Sequence, residues 1–375
     1  MRRPKFGAMT ALMMIPVLAC TMWAAWGQAP QTAPANVVAA SAAPSKGKTS
    51  ILEGYPNRIQ ARLEQRRRAF SKAPSPTAGF TPHFVIRITT LWKNGQTIKI
   101  AFRGGDKVLH KSIADAVTEW TKYANLKFDF GLDPKTEGYR TWNVADKTYA
   151  ADIRVSFDQP GYYSLVGNDS VNKQISKTGE ESLNLEGFDQ NLPADWKAVA
   201  LHEFGHAIGF EHEHQGPNAM CDFRFDDDLG YVATTDGFGQ FIPDASGKRP
   251  GLYTFLGGPP NNWPQAVVDF NLKQLPKSSA YVEGPFDKKS IMKYFFEDFM
   301  FVSGKSSDCY TDSENLVPSD QDKVGAAKVY PRAPAAIAAD VELRTKVLQD
   351  IGKMHSMPAA MKEHFQQTLQ SITDK

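Results

Sequence analysis

The sequence predicts an α+β domain built on a twisted, mixed β-sheet, and three observations carry that expectation. Strand-like runs lie at residues 85–102, 126–130 (LKFDF) and 151–157 (ADIRVSF), with an amphipathic helical stretch at 107–124 between the first two. A strand, helix, strand, strand order with long connections belongs to mixed-sheet domains. A second helix-forming stretch, DWKAVALHEFGHAIGF, begins at Asp195 and carries the densest cluster of chemistry-bearing residues.

Each element has its own signal. In the first run, VIRITTLW and TIKIAF are β-prone and meet around Lys93-Asn94-Gly95-Gln96, and Asn-Gly at such a join predicts a hairpin. Phe102-Arg103-Gly104-Gly105-Asp106 reads as a strand-ending turn. Val108, Ile113, Ala116, Val117, Trp120 and Tyr123 then recur at helical spacing. Ile153, Val155 and Phe157 alternate as in a half-buried strand, and SLNL at 182–185 is a short strand candidate. Asp195, after Pro193, is the expected N-cap of the histidine-bearing helix. Residues 220–289 are rich in Gly, Pro and Asp with little periodicity, as in the walls or lids of a site. Beyond Pro331 the chain is Ala-rich and helical.

A chain of 375 residues with 42% hydrophobic content holds one or two domains plus flanking segments. Its 43 basic and 41 acidic residues leave a net charge of +2, too small a field to argue for nucleic acid or a membrane surface as partner. Arg2, Arg3 and Lys5 precede an uncharged apolar run over 7–26, the grammar of a signal peptide over 1–27 and of a secreted or periplasmic protein. An uncleaved anchor is the alternative, since the run is just long enough to span a bilayer. Lipoprotein processing at Cys20 is the weaker reading, because apolar residues continue past it.

Residues 28–50 are an Ala/Pro/Ser/Thr-rich linker. After Pro56 the chain reads as a helix with a basic face at Arg62, Arg66, Arg67 and Arg68. That helix is either simply solvated or part of a pro-segment, within 28–82, that covers the site until cut. With Cys20 removed in the leader, Cys221 and Cys309 remain in an oxidising compartment, and one disulfide between them is expected, tying two walls of one cleft.

The sharpest pattern is HEFGHAIGFEH, residues 202–212. His202 and His206, four apart, project from one face of a helix and can reach a single ion. Glu203 lies about 100° further round, beside the ion and able to take a proton from a water that the metal acidifies. Gly209 can adopt the left-handed backbone that returns the chain so that His212 supplies a third ligand, leaving one position open. At ordinary residue frequencies the full pattern arises by accident with a probability on the order of 10⁻⁵ in such a chain. One zinc ion per chain is therefore expected, held by His202, His206 and His212. His214 either lines the cleft or lies exposed; His83, His110, His355 and His364 fit no ligand spacing. Asp226, Asp227 and Asp228 read as an exposed acidic loop rather than a calcium site.

These residues resemble the zinc motif of the metzincin peptidases, and Ser290-Ile291-Met292-Lys293-Tyr294 resembles the Met-turn of their astacin branch in a divergent, bacterial-type form. The resemblance covers roughly residues 85–331, so a catalytic domain over 83–331 and a helical tail over 332–375 are expected. It implies that Met292 is a hydrophobic floor under the zinc and that Tyr294 is a fifth ligand or a donor to the oxyanion. It also implies that SLNL is the edge strand along which substrate lies. Glu213 matches the glutamate that anchors the mature N-terminus in astacins, but the sequence continues His214-Gln215-Gly216-Pro217, away from the family's pattern.

The function so implied is a secreted zinc endopeptidase acting on protein or peptide substrates, with Glu203 as general base. The rival is a non-catalytic, zinc-stabilised extracellular binding module on the same scaffold. Its signature would be a missing base, whereas Glu203 and Tyr294 are both present. Substrate preference and oligomeric state are not written in the sequence.

Overall fold

The structure, a computed structural model, describes residues 53–71, 89–275, 285–353 and 357–374, all within a compact unit spanning Lys48–Lys375. The leader expected over 1–27, the linker over 28–50 and residues 85–88 of the expected hairpin's first arm lie outside the described residues. Among the described residues no helix is long and apolar enough to cross a membrane.

Helix α1 (Asn57–Ser71) starts where Pro56 fixes the chain, its carbonyl accepting from the amides of Ile59 and Gln60. Ile59 and Leu63, four apart, are buried against Tyr163, Leu165 and Ile175. The solvated reading of this helix is therefore corrected. Its apolar face is covered, and Arg58, Arg62 and Arg66 are all paired with carboxylates elsewhere in the chain.

Strand β1 (Thr97–Phe102) is buried along most of its length. The expected hairpin with 85–92 does not form in its described part. Asn94-Gly95 does turn, with Gly95 at φ +79° and the Gln96 amide on Lys93 O, but the preceding chain turns inward. There the Trp92 indole donates to Ala207 O at 2.8 Å, and β1 takes parallel partners on both sides instead. Burying that indole against the histidine-bearing helix outweighs the local turn preference.

Asp106 caps helix α2 (Lys107–Val117), accepting from the Leu109 amide at 2.8 Å, and a 3₁₀ turn continues the apolar face to Trp120. Strands β2 (Lys127–Asp129), β3 (Ile153–Ser156), β4 (Tyr162–Ser164) and β5 (Leu183–Leu185) complete a five-stranded sheet of order β2-β1-β3-β5-β4. All pairings are parallel except β4 with β5, where Tyr163 faces Asn184. SLNL is thus an interior strand, a second correction: β4, from the weakly patterned 162–164, takes the edge.

Helix α3 (Trp196–Ala207) packs under the sheet through Leu201, Phe204 and Ala207. Asp195 holds the N-cap position without a side-chain cap bond; its carbonyl accepts from Ala198. Gly209, at φ +107°, ends this segment, and a Cβ there would strike Leu91.

The unpatterned 220–289 stretch holds a small hairpin of β6 (Thr234–Thr235) and β7 (Phe241–Ile242), then α4 (Leu252–Gly257) and α5 (Gln265–Leu272). They share a second core with Phe296, Phe301 and Cys309. Cys221 and Cys309 are disulfide-bonded, as expected, with Cα atoms 5.1 Å apart. Helix α6 (Asp320–Val329) begins with a Ser319/Asp322 capping box. The tail forms α7 (Pro334–Gly352) and α8 (Ala359–Thr373), and buried Arg344 ties α7 to the carbonyls of Leu91 and Trp92 at 2.7 and 2.8 Å.

Candidate metal and active site

Because α3 rises one turn between them, His202 and His206 bring their Nε2 atoms to 3.1 Å, and the return at Gly209 places His212 Nε2 3.1 Å from His206 Nε2. Each ring is held from behind. His202 Nδ1 donates to Ile291 O and His206 Nδ1 to Phe210 O, both at 2.7 Å, and His212 Nδ1 to the Gln215 side-chain oxygen at 3.2 Å. A carbonyl can only accept, so each Nδ1 carries the proton and each Nε2 turns a lone pair inward. Three convergent lone pairs repel one another unless a cation sits between them. Tetrahedral zinc with bonds of about 2.0–2.1 Å needs nitrogens roughly 3.3 Å apart, close to the separations here, so these residues fit zinc.

A fourth ligand atom comes from outside the motif. Glu53 Oε2 lies 2.9 Å from His212 Nε2, 3.0 Å from His206 Nε2 and 3.8 Å from His202 Nε2, completing a buried group of three histidines and one glutamate able to hold a metal. Its other oxygen accepts from the Ser164 amide at 3.2 Å. Burial works to raise this carboxyl, but its attraction to His206 and its close contacts with the other two imidazoles outweigh burial and hold it well below the usual range. Gly54 lets the chain enter: a Cβ there would stand 3.0 Å from the Trp263 ring in the α4–α5 connection. Nothing in the local string Glu53-Gly54-Tyr55-Pro56 signals a ligand, and the sequence reading missed it.

Glu203 is 3% exposed, and its Oε2 has no hydrogen-bond partner among the described residues. Burial first, then the neighbouring Glu53 charge, push its carboxyl well above the usual range. Tyr294 stacks beside the cluster, its ring centroid 5.6 Å from His202 and 4.3 Å from His212. Its hydroxyl donates to Glu53 Oε2 at 3.2 Å and accepts from the Glu53 amide at 3.1 Å, and burial with the two carboxylate charges raises its pKa well above normal. Met292 lies directly beneath α3, where a Cβ on Gly205 would run into its sulfur. The 290–294 turn is pinned by Asp322, which accepts from Ser290 Oγ at 2.6 Å and the Ile291 amide at 2.8 Å.

Residues weighed beside the motif now have places. His214 is buried, stacked 4.9 Å behind His212, with Nε2 on Asn271 O at 3.0 Å; burial pushes its pKa well below normal. It backs the site and is not exposed. Glu213 accepts from the Asp287 amide at 2.8 Å. Asp227 and Asp228 accept from the backbone amides of Gly251 and Arg249. His110 stacks on Phe102, and His364 is buried in α8, both away from the metal cluster; His83 and His355 lie outside the described residues.

Among solved structures, the chain is similar to myroilysin, at 26% identity over 65% of this chain and 97% of that chain, with a TM-score of 0.48. A crystal structure of myroilysin matches at 24% identity over 75% and 98%, with a TM-score of 0.40. High choriolytic enzyme 1, a hatching enzyme zinc-protease from Oryzias latipes (medaka fish), matches at 17% identity over 64% and 94%, with a TM-score of 0.36. No protein-family model matches the sequence, and no curated protein matches it.

Proposed function

We propose that the chain is an exported zinc endopeptidase and that the form described is its closed precursor. The observation that carries this reading is the trio of Nε2 lone pairs, each locked by a proton-donating Nδ1, with Glu203 alongside. His202, His206 and His212 hold the ion. Zinc, when bound, supplies a Lewis acid that acidifies water and polarises a peptide carbonyl. Glu203 takes the proton of the attacking water and passes it to the leaving amine. Its buried oxygen suits that task, because among the described residues no donor competes for it. The Tyr294 hydroxyl donates to the charge that grows on the carbonyl oxygen.

Substrate lies extended along the β4 edge. In the closed chain that position is taken: Glu53 Oε1 binds the Ser164 amide, and the Tyr55 hydroxyl donates to Ser164 O at 2.9 Å. The same segment puts Glu53 where the open metal position is required. Residues 28–82 thus act as an inhibitory pro-segment, 83–331 as the catalytic domain and 332–375 as a helical tail docked on it, following export directed by 1–27.

The test is cleavage of a mixed peptide library by zinc-loaded, processed protein. Cleavage abolished by a chelator and restored by zinc is expected; stoichiometric zinc with no cleavage by processed protein would move the assignment to a binding module.

A further inference from the structure

Helix α1 docks through three arginines, and they are not equivalent. Arg58 and Arg62 reach the surface, their side chains 37% and 21% exposed, and pair with buried Glu181 and with Glu180. Arg66 is 6% exposed, and its guanidinium pairs with Asp169, itself 2% exposed. This buried pair lines a cavity of about 380 Å³ whose wall also includes His206 and His212. Leu63, Leu165 and Phe270 are the apolar part of a wall that also carries Glu211, Gln215 and Asn271. The other cation in its wall, Lys273, is engaged with Asp269 at 2.9 Å. Asp169 is fixed in a 3₁₀ turn, Gly167–Val171, with its amide on Val166 O and its carbonyl accepting from Asn172.

We infer that Asp169, in the wall of this cavity, is a guanidinium subsite, occupied by Arg66 in the closed chain and by an arginine side chain of the substrate once the N-terminal segment leaves. The use of the subsite in substrate selection rests on the peptidase reading; its chemistry does not. In Arg66→Ala, where α1 still covers the site, Asp169 is left buried without its counter-charge, a strongly disfavoured state that a replacement cation relieves. The planar guanidinium fork matches a carboxylate where an ammonium offers only a point charge. Because the cavity adjoins two of the metal-binding histidines, a peptide anchored there has its backbone close to the metal.

The full-length Arg66→Ala protein tests this, with N-acetyl-arginine amide as probe and its neutral isostere, N-acetyl-citrulline amide, as control. Thermal denaturation is followed against probe concentration. A saturable rise in Tm is expected for Arg66→Ala, with the citrulline amide at least about tenfold weaker. No rise is expected for the unsubstituted chain, whose Asp169 is already paired with Arg66, or for Arg66→Ala/Asp169→Asn. Absence of a rise in Arg66→Ala, or an equal rise in the double variant, overturns the subsite. If Arg66→Ala is recovered unfolded, refolding yield is compared with each amide: a yield raised by arginine amide alone supports the subsite, and equal yields overturn it. A chain that binds the amide but never cleaves peptides refutes the peptidase reading alone. Chelator-sensitive cleavage without amide binding refutes the subsite alone.

Discussion

Replacing Glu53 by alanine should unlock the unprocessed chain. The Glu53 carboxylate is buried, faces the three imidazoles and is bonded to the Ser164 amide and the Tyr294 hydroxyl. Removing one partner of a buried charged constellation costs roughly 3–5 kcal/mol. That cost falls on the closed state alone, since in the open state Glu53 is solvated. At 1.4 kcal/mol per tenfold, the closed-to-open ratio drops by about 10² or more. The rest of the clamp, three arginine pairs and the buried Ile59 and Leu63, stays in place, so opening is partial. The assay is turnover of a quenched fluorescent peptide by intact chain, with mass spectrometry confirming that residues 72–88 remain uncut. Glu53→Gln keeps the shape and loses the charge, and it should fall between the two. Equal turnover by all three proteins at equal zinc loading would refute the reasoning.

Further outcomes follow from the same geometry. Tyr294→Phe should retain zinc while kcat of the processed enzyme falls about 10²–10³-fold, the loss of one oxyanion donor; an unchanged kcat would remove Tyr294 from the chemistry. Reducing the Cys221–Cys309 bond, which closes a loop of sequence separation 88, should cost about 4–5 kcal/mol by loop entropy, read as a fall in Tm with reductant. Burial in α8 pushes His364 down to about 4, against the raising effect of Asp169 and with the help of Arg66. The unfolded chain then binds the proton more tightly than the folded one, so stability is full above about pH 6.5 and is lost as pH falls towards 4, by up to roughly 3 kcal/mol. Urea denaturation across that window should show the slope, and His364→Leu should flatten it.

What could be read in the sequence was local. The α3 histidines, the return at Gly209 and the helix after Pro56 each depend on residues within a turn or two of one another, and the structure brings them together as expected. The cysteine pair was legible because only two cysteines lie beyond residue 27. What failed depended on long-range competition. The Asn94-Gly95 turn formed, yet Trp92 was drawn away by Ala207, 115 residues distant. The edge passed to β4 because three residues, Tyr162–Ser164, pair antiparallel with β5, a register that no alternation announces. Glu53 was invisible for the same reason: it reaches His212 across 159 positions, and only the folded chain shows why a carboxylate stands before Gly54. The arginines of α1 looked like a solvated face because Glu180, Glu181 and Asp169 lie more than 100 residues away.

The central claim is that Glu203 is the base of a metal-dependent hydrolase, and its most direct test is Glu203→Ala in the processed protein with metal content and turnover measured on the same sample. One zinc per chain with turnover reduced to background is the predicted result. One zinc per chain with appreciable residual turnover would contradict it.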